Sequence, residues 1–435
     1  MAILPGWNRA CAEIPVENCW VLEDTMISKT KAWAVMLAVF LASIAAAINQ
    51  FKVPPVMQYL MADLGLDMVA AGWTMSIFSV AGIILAIPAA FILRRWGLKI
   101  TGTAAMGCTV AGAVIGALAP SAAAMMAARM LEGTGMGLMA IIAPAAISAW
   151  FLPRERGMPM GIWATWVPVG NVIMFNLAHP LMDAFGWRSV WWFGALCAAV
   201  TLAVYAVVVT EPQEEVSRSS VPAGEGGPAP EAAGSFGRNL LNADSWLLAL
   251  AFVCFAFSLL GYNTWAPAFL SESLGMAPAR ASMAASLMFL AGIPGNLFAG
   301  WLLNRTGQPY RLLAAAFLVS GILYAFSFRL QAALIAVPYM LVLGFVANII
   351  PTTEFTLAPE TMPLPSLAGL ALAILAIGSG TGILLGPPVL GAVVTARGWP
   401  AGSVLLALVM AAGLATVWVA WRRARTEQDP AGASA

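Results

Sequence analysis

Lys52 and Arg129 are basic residues placed inside long apolar runs, and Glu132 follows Arg129 by three positions. A charge at hydrocarbon depth costs ~2.5 kcal/mol or more, so it faces a cavity or a partner. The chemistry open to such a set is anion binding by an ammonium group and proton uptake by a carboxylate. On a helix, Lys52 shares one stripe with Asn49, Val56 and Tyr59, at spacings of 3, 4 and 3. Pro54 and Pro55 follow directly. Neither can donate a backbone hydrogen bond, so carbonyls one turn earlier are freed and the helix is expected to bend. A lysine beside loosened backbone suits an anion ligand; the competing reading is a lysine snorkelling to the outer headgroups. Arg129 and Glu132 can pair on one helix face. They form either a proton-coupling site or a static buried ion pair.

Further polar and aromatic residues fall within apolar stretches. Trp163, Trp166 and Asn171 lie in the fifth, Tyr262, Asn263 and Trp265 in the seventh, and Asn296 in the eighth. Asn348 and Thr352 lie in the tenth, Ser379 and Thr381 in the eleventh. They line a solute path, or they pack and mark the membrane interface. His179, the sole histidine, is expected to be solvated at a helix end. Glu354 is expected at the interface, which leaves Glu132 as the carboxylate well inside a helix. Gly133/Gly137 and Gly378-Ser-Gly-Thr-Gly382 read as close helix contacts. No phosphate-binding Gly-x-x-x-x-Gly-Lys-Ser/Thr loop or other enzyme motif occurs. The expectation is therefore no enzyme, no cofactor and no metal.

The elements that must carry these residues follow from composition. The chain is 61% hydrophobic and 9% charged, against about one quarter charged in a soluble domain. Twelve apolar windows are long enough to cross a bilayer, six between residues 32 and 209 and six between 245 and 421. They are continuous rather than alternating, so the fold is an all-α membrane protein and not a β-barrel. The division is a tail at 1–30, a six-helix bundle at 31–210, a linker at 211–243, a second six-helix bundle at 244–421 and a tail at 422–435. The linker is rich in Pro, Gly, Glu and Ser. Of 21 Lys and Arg, two are Lys52 and Arg129, four (Arg188, Arg280, Arg329, Arg397) fall in one set of loops, and the remaining fifteen in the other set and the tails. The positive-inside rule then puts both termini in the cytoplasm of a multi-pass inner (plasma) membrane protein. Near-neutral net charge argues against nucleic acid, and the five cysteines show neither metal spacing nor a disulfide framework. Residues 1–25 carry four acids and no apolar core, so they are no signal peptide, and Met26 is a plausible alternative start.

The two halves repeat. Ala81-Gly82-Ile83 returns as Ala291-Gly292-Ile293, and Gly97 as Gly307, both at an offset of 210 (291 − 81 and 307 − 97). Leu64-Gly65 and Leu274-Gly275, Ser76 and Ser286, and Met130-Leu131 and Met340-Leu341 keep that register; Gly186-Trp187 returns as Gly398-Trp399. Symmetry fails at the charges: Lys52 meets Tyr262 and Arg129 meets Tyr339.

Parallel six-helix repeats with solute sites between the halves are the arrangement of major facilitator superfamily transporters, and short motifs resemble that superfamily. Gly300-Trp-Leu-Leu-Asn304-Arg305-Thr-Gly307 is similar to its Gly-x-Leu-x-Asp-Arg-x-Gly loop, with Asn for Asp. The N-terminal copy reads Arg94-Arg95-Trp-Gly97, where Arg94 takes the acidic position. Arg129-Met-Leu-Glu132-Gly133 resembles the fourth-helix Arg-x-x-x-Gly motif. The resemblance implies gating roles for Arg95, Gly97, Asn304, Arg305 and Gly307. Phe51-Lys52-Val-Pro54-Pro55 and Gly161-Ile-Trp163-Ala-Thr-Trp166-Val-Pro168 resemble the cyanate and nitroimidazole permease branch, which implies small anionic or polar solutes.

The expectation is a monomeric secondary transporter of a small anionic or polar solute, held in membrane lipid and coupled, if at all, to protons through Arg129 and Glu132. Its substrate residues are Lys52, Asn49, Tyr59, Trp163, Trp166, Asn171, Tyr262, Asn263, Asn296 and Asn348. The alternatives are a proton-driven drug exporter and a non-transporting polytopic sensor or assembly protein.

Overall fold

The computed structural model describes residues 16–86, 88–151, 155–211, 239–364 and 367–428. Most of the linker therefore lies outside the described residues, as do residues 1–15 and 429–435. Among the described residues twelve long apolar helices follow in order: α1 Lys29–Leu64, α2 Met68–Leu85, α3 Arg95–Ala117, α4 Ala122–Trp150, α5 Gly157–Phe185, α6 Arg188–Val208, α7 Ala243–Leu274, α8 Pro278–Thr306, α9 Pro309–Ala325, α10 Ala333–Thr361, α11 Ala368–Arg397 and α12 Trp399–Thr426. Eleven are long and apolar enough to cross a membrane by length and composition. The twelfth, α9, has 17 residues, about 26 Å at 1.5 Å per residue. Helical backbone runs on beyond α12 to Gln428, into the expected tail.

The face where α1 begins and α12 ends is called terminal below, and the opposite face distal. In the N-terminal half α4 packs on α1 and α3, and α6 on α1 and α3; in the C-terminal half α7 packs on α11 and α12, α8 on α10, and α9 on α12. The halves meet through α2 against α11 and α5 against α8. At the repeat offset α2 corresponds to α8 and α5 to α11, so the two seams are one contact made twice. Ser76 Oγ on α2 donates to Ile383 O on α11 (3.0 Å), and Asn176 Nδ2 on α5 donates to Ser286 Oγ on α8 (3.3 Å). The repeated serines thus serve the two equivalent seams.

Among the described residues, the positive-φ positions are six glycines that form three repeat pairs: Gly65 and Gly275 (62° and 64°), Gly97 and Gly307 (75° and 60°), Gly186 and Gly398 (both 77°). A side chain is disfavoured there, so the duplication preserved turns where only glycine fits.

Three helices break where proline demands it. A proline lacks the N–H that would bond the carbonyl four residues earlier. α1 breaks at Lys52, three before Pro55; α5 at Ala164 and Thr165, ahead of Pro168; α10 at Asn348, three before Pro351. α2 breaks at Ile77 without a proline close after it.

Candidate functional site

The break in α1 organises the site. Pro54 cannot bond the Gln50 carbonyl, and Arg129 on α4 supplies the missing donor: Nη2 reaches Gln50 O at 3.0 Å and Nη1 reaches Asn49 O at 2.6 Å. Nε donates to Thr74 O at 3.0 Å, just before the break in α2, and the guanidinium lies 4.5 Å from the centre of the Phe78 ring. A side chain inserted into the helical ladder accounts for the α2 break as proline accounts for the others. One planar fork therefore fixes two interrupted helices, a task for which an ammonium has the wrong geometry.

Glu132 joins the two cations. Its Oε2 accepts from Arg129 Nη1 and its Oε1 from Lys52 Nζ, each at 2.5 Å. Lys52 Nζ also donates to Asn49 Oδ1 (2.9 Å) and sits 4.9 Å from the centre of the Trp191 ring. Asn49 Nδ2 in turn donates to Ala45 O and Gly194 O. Lys52, Arg129 and Glu132 are all 0% exposed. By formal charge the cluster holds two cations and one anion, a formal charge of plus one inside the N-terminal bundle. Glycines make room for it. A Cβ at Gly112 would meet Glu132 Cγ at 2.7 Å, and one at Gly194 would meet Asn49 Oδ1 at 2.5 Å.

The other expected site residues separate into groups. Asn171 and Asn263 meet across the two halves, Nδ2 to Oδ1 at 3.4 Å, and among the described residues the remaining oxygen of Asn171 and nitrogen of Asn263 are buried without a partner. Trp163 and Trp166 stack at 5.9 Å beside the α5 break, and Trp163 Nε1 donates to Ser43 Oγ on α1. Asn296 Oδ1 accepts from Thr352 Oγ1, tying α8 to α10, while Asn348 Nδ2 turns back to Gly344 O. Tyr262 lies inside the C-terminal bundle among Tyr324, Phe328 and Tyr339, with its hydroxyl on Ser327 O. Tyr59 is half exposed at the distal face, away from the Lys52 cluster. On the terminal face Arg95, Asn304 and Arg305 are exposed, with Arg305 over the Trp301 ring, and Gly307 ends α8. At Gly97 the Glu211 carboxylate lies close and accepts from Lys99 N (3.1 Å), so the segment just after α6 brings an acid to this loop.

Two expectations are corrected. His179 is 4% exposed rather than solvated: the close α5–α8 seam covers it, and its Nε2 is 2.9 Å from Ser282 Oγ. Glu354 is 0% exposed rather than interfacial, because α10 does not end there: it runs on to Thr361, and its segment Ile349–Leu357 packs against α8 and α9. Sequence reasoning also missed Gln50, Thr74, Phe78 and Trp191. The proline pair pointed to Gln50 as a freed carbonyl; apolar context hid the others.

The halves are sealed distally. Gln58 Nε2 on α1 donates to Glu272 Oε1 on α7 (2.8 Å), alongside the His179–Ser282 contact. The crevice between these groups holds only ≈ 10 Å³, room for about one water. Gly72 on α2 lets Pro388 of α11 approach until the backbones touch.

Comparison with known proteins now fixes the family. Residues 36–368 match the family model described as Major Facilitator Superfamily. The chain belongs to the Major Facilitator Superfamily. It is similar to the hexuronate transporter of Bacillus subtilis, 24% identical over 63% of this chain and 65% of the relative. It is also similar to the glycerol-3-phosphate transporter of Bacillus subtilis, 28% identical over 40% of this chain and 42% of the relative. Both matches span less than two thirds of the relative's length. The fold matches the crystal structure of a bacterial homolog of the human lysosomal transporter Spinster, with a TM-score of 0.72 and 17% identity over 89% of this chain and 96% of that one. Membership of the superfamily, with eleven helices among the described residues long and apolar enough to cross a membrane, makes this a multi-pass membrane protein of a transporter family.

Proposed function

We propose that this transporter moves a small anionic or polar organic solute by alternating access, with both termini in the cytoplasm of the inner membrane. The observation that carries the reading is the uncompensated positive charge around Lys52. Glu132 is the resident counter-anion of that lysine inside the N-terminal bundle, and a solute carboxylate or phosphate that reaches this side of the broken α1 from between the halves competes for the same ammonium. Proton uptake by Glu132 removes the competitor, which couples solute binding to protons, while Arg129 holds the broken helices in place. Hexuronate and glycerol 3-phosphate, named for two relatives, are small organic anions. The permease-branch resemblance around Lys52 and Trp163 agrees with such a solute.

The distal hydrogen bonds between halves belong, in this reading, to the state closed outward and open to the cytoplasm. Asn171, Asn263, Trp163, Trp166, Asn296 and Asn348 contribute the polar and aromatic lining, with Asn49 orienting Lys52; Tyr59 stands at the outer mouth and Tyr262 behind the wall. Arg95, Gly97, Asn304, Arg305 and Gly307 act in the cytoplasmic loops as the gate.

Uptake into proteoliposomes tests the proposal with a hexuronate, a glycerol phosphate, a neutral hexose and a cationic dye. The expected result is saturable uptake of an anion that Lys52→Ala abolishes and that Glu132→Gln deprives of its dependence on an imposed pH gradient. Anion uptake with unchanged affinity in Lys52→Ala overturns the anion site. Flux of the dye alone replaces the reading with drug export.

A further inference from the structure

Glu354 lies in the half of the molecule that lacks the charge cluster. It is fully buried on the terminal-side segment of α10, Ile349–Leu357, and among the described residues neither carboxylate oxygen has a hydrogen-bond partner and no basic side chain pairs with it. Glu132, at comparable burial, is bonded on both oxygens by cations. The two buried carboxyls are thus built for opposite states.

The groups around Glu354 leave it uncompensated. The segment packs against α7, α8, α9, the first part of α10 and the short 3-10 turn Ala358–Thr361. From α7 it is faced by the Cys254 thiol. The charged groups of α8 are Arg280 and Arg305, both exposed at the helix ends; α9 carries Tyr310, the exposed Arg311 and the buried Tyr324. The first part of α10 carries Tyr339, whose hydroxyl donates to Leu323 O, and the 3-10 turn carries the exposed Glu360.

An ionised carboxylate removed from water with neither donor nor counter-ion is costly by far more than a neutral acid. We propose that Glu354 is a proton-binding site of the C-terminal bundle, occupied by one proton at neutral pH in the state described here. The exchange is a single O–H bond: the acid yields carboxylate and hands its proton to water when the packing between α7 and α10 opens to solvent. The unwound residue Asn348 lies six residues before Glu354 and is the point at which α10 can bend to admit that water. This inference does not depend on what solute is carried.

Infrared spectra of the full chain reconstituted in lipid, with no solute present, test it through the carbonyl stretch of a protonated carboxylic acid. At neutral pH the wild type is expected to show one such band. Glu132→Gln keeps it, Glu354→Gln loses it, and Cys254→Ala shifts it. Glu354→Gln is an uncharged isostere of the acid, and Glu354→Leu repeats the measurement if glutamine does not reconstitute. No band in the wild type, or a band undiminished in the Glu354 variant, overturns the proposal. Neither result depends on solute uptake, so failure here is distinct from failure of the anion-transport reading.

Discussion

Lys52 and Glu132 stand 80 positions apart in the chain and meet at 2.5 Å where α1 breaks, both without any contact with solvent. The pair is held in common with Arg129, so the three charges respond to mutation as a unit.

Glu132 is the member whose loss is felt most. Glu132→Ala leaves two buried cations facing each other and is expected to destabilise by ~3–5 kcal/mol. Lys52→Met leaves Glu132 bonded to Arg129 and costs less, ~1–3 kcal/mol. Thermal or denaturant unfolding in a fixed detergent checks the order; equal losses would mean that Glu132 is not the centre of the cluster.

Arg129→Lys preserves charge and removes the fork. Backbone carbonyls at Asn49, Gln50 and Thr74 then lose donors, at ~1–3 kcal/mol for each one left unsatisfied. Pro54→Ala gives the Gln50 carbonyl a donor of its own, and is expected to recover part of that loss in the double variant. Independent, additive effects in the four-member cycle would deny the link between the proline and the arginine.

Close approach can be probed with single methyl groups. Gly112→Ala puts a Cβ 2.7 Å from the Ala128 carbonyl and 2.8 Å from Glu132 N. Backbone cannot yield cheaply, and a loss of ~1–3 kcal/mol is expected. Gly300→Ala on α8 meets nothing within 4 Å, and should stabilise the helix by up to ~1 kcal/mol. Melting curves of the two variants should move in opposite directions.

The distal seal predicts a cross-link. Cysteines replacing His179 and Ser282, joined by a short bifunctional thiol reagent, are expected to react readily and to arrest flux in the proteoliposome assay. Undiminished flux after complete cross-linking would show that the α5–α8 seam stays shut throughout the cycle.

Much of this was legible in the residues. Apolar run lengths yielded the helices, and the repeat glycines mark turns that the structure places in the left-handed region. The i, i+3 spacing of Arg129 and Glu132 predicted their ion pair, and Pro54 announced the freed carbonyl that Arg129 fills. What stayed hidden was direction. The stripe through Asn49, Lys52 and Val56 is a face of α1, but spacing alone cannot say whether that face meets the other half or its own bundle. It meets its own. Glu354 was misplaced for a different reason: it stands where the apolar run gives way to Thr and Pro, which reads as the end of the helix, yet α10 continues to Thr361. Trp191 and Thr74 gave no signal, because a tryptophan and a threonine in an apolar helix look the same whether or not a charge lies behind them.

The net charge of the cluster has an electrical consequence. Lys52, Arg129 and Glu132 together form a charge of plus one fixed to the helices that bear it. Moving one elementary charge through the whole membrane field is worth ~2.3 kcal/mol per 100 mV. Any rocking that displaces this bundle along the membrane normal therefore makes the empty protein sensitive to voltage. In the proposed cycle a monovalent anion arrives with the proton taken up by Glu132, so the loaded cluster also carries plus one and membrane potential acts on the loaded and the unloaded carrier alike; a dianion cancels the charge and leaves the loaded carrier to its concentration gradient.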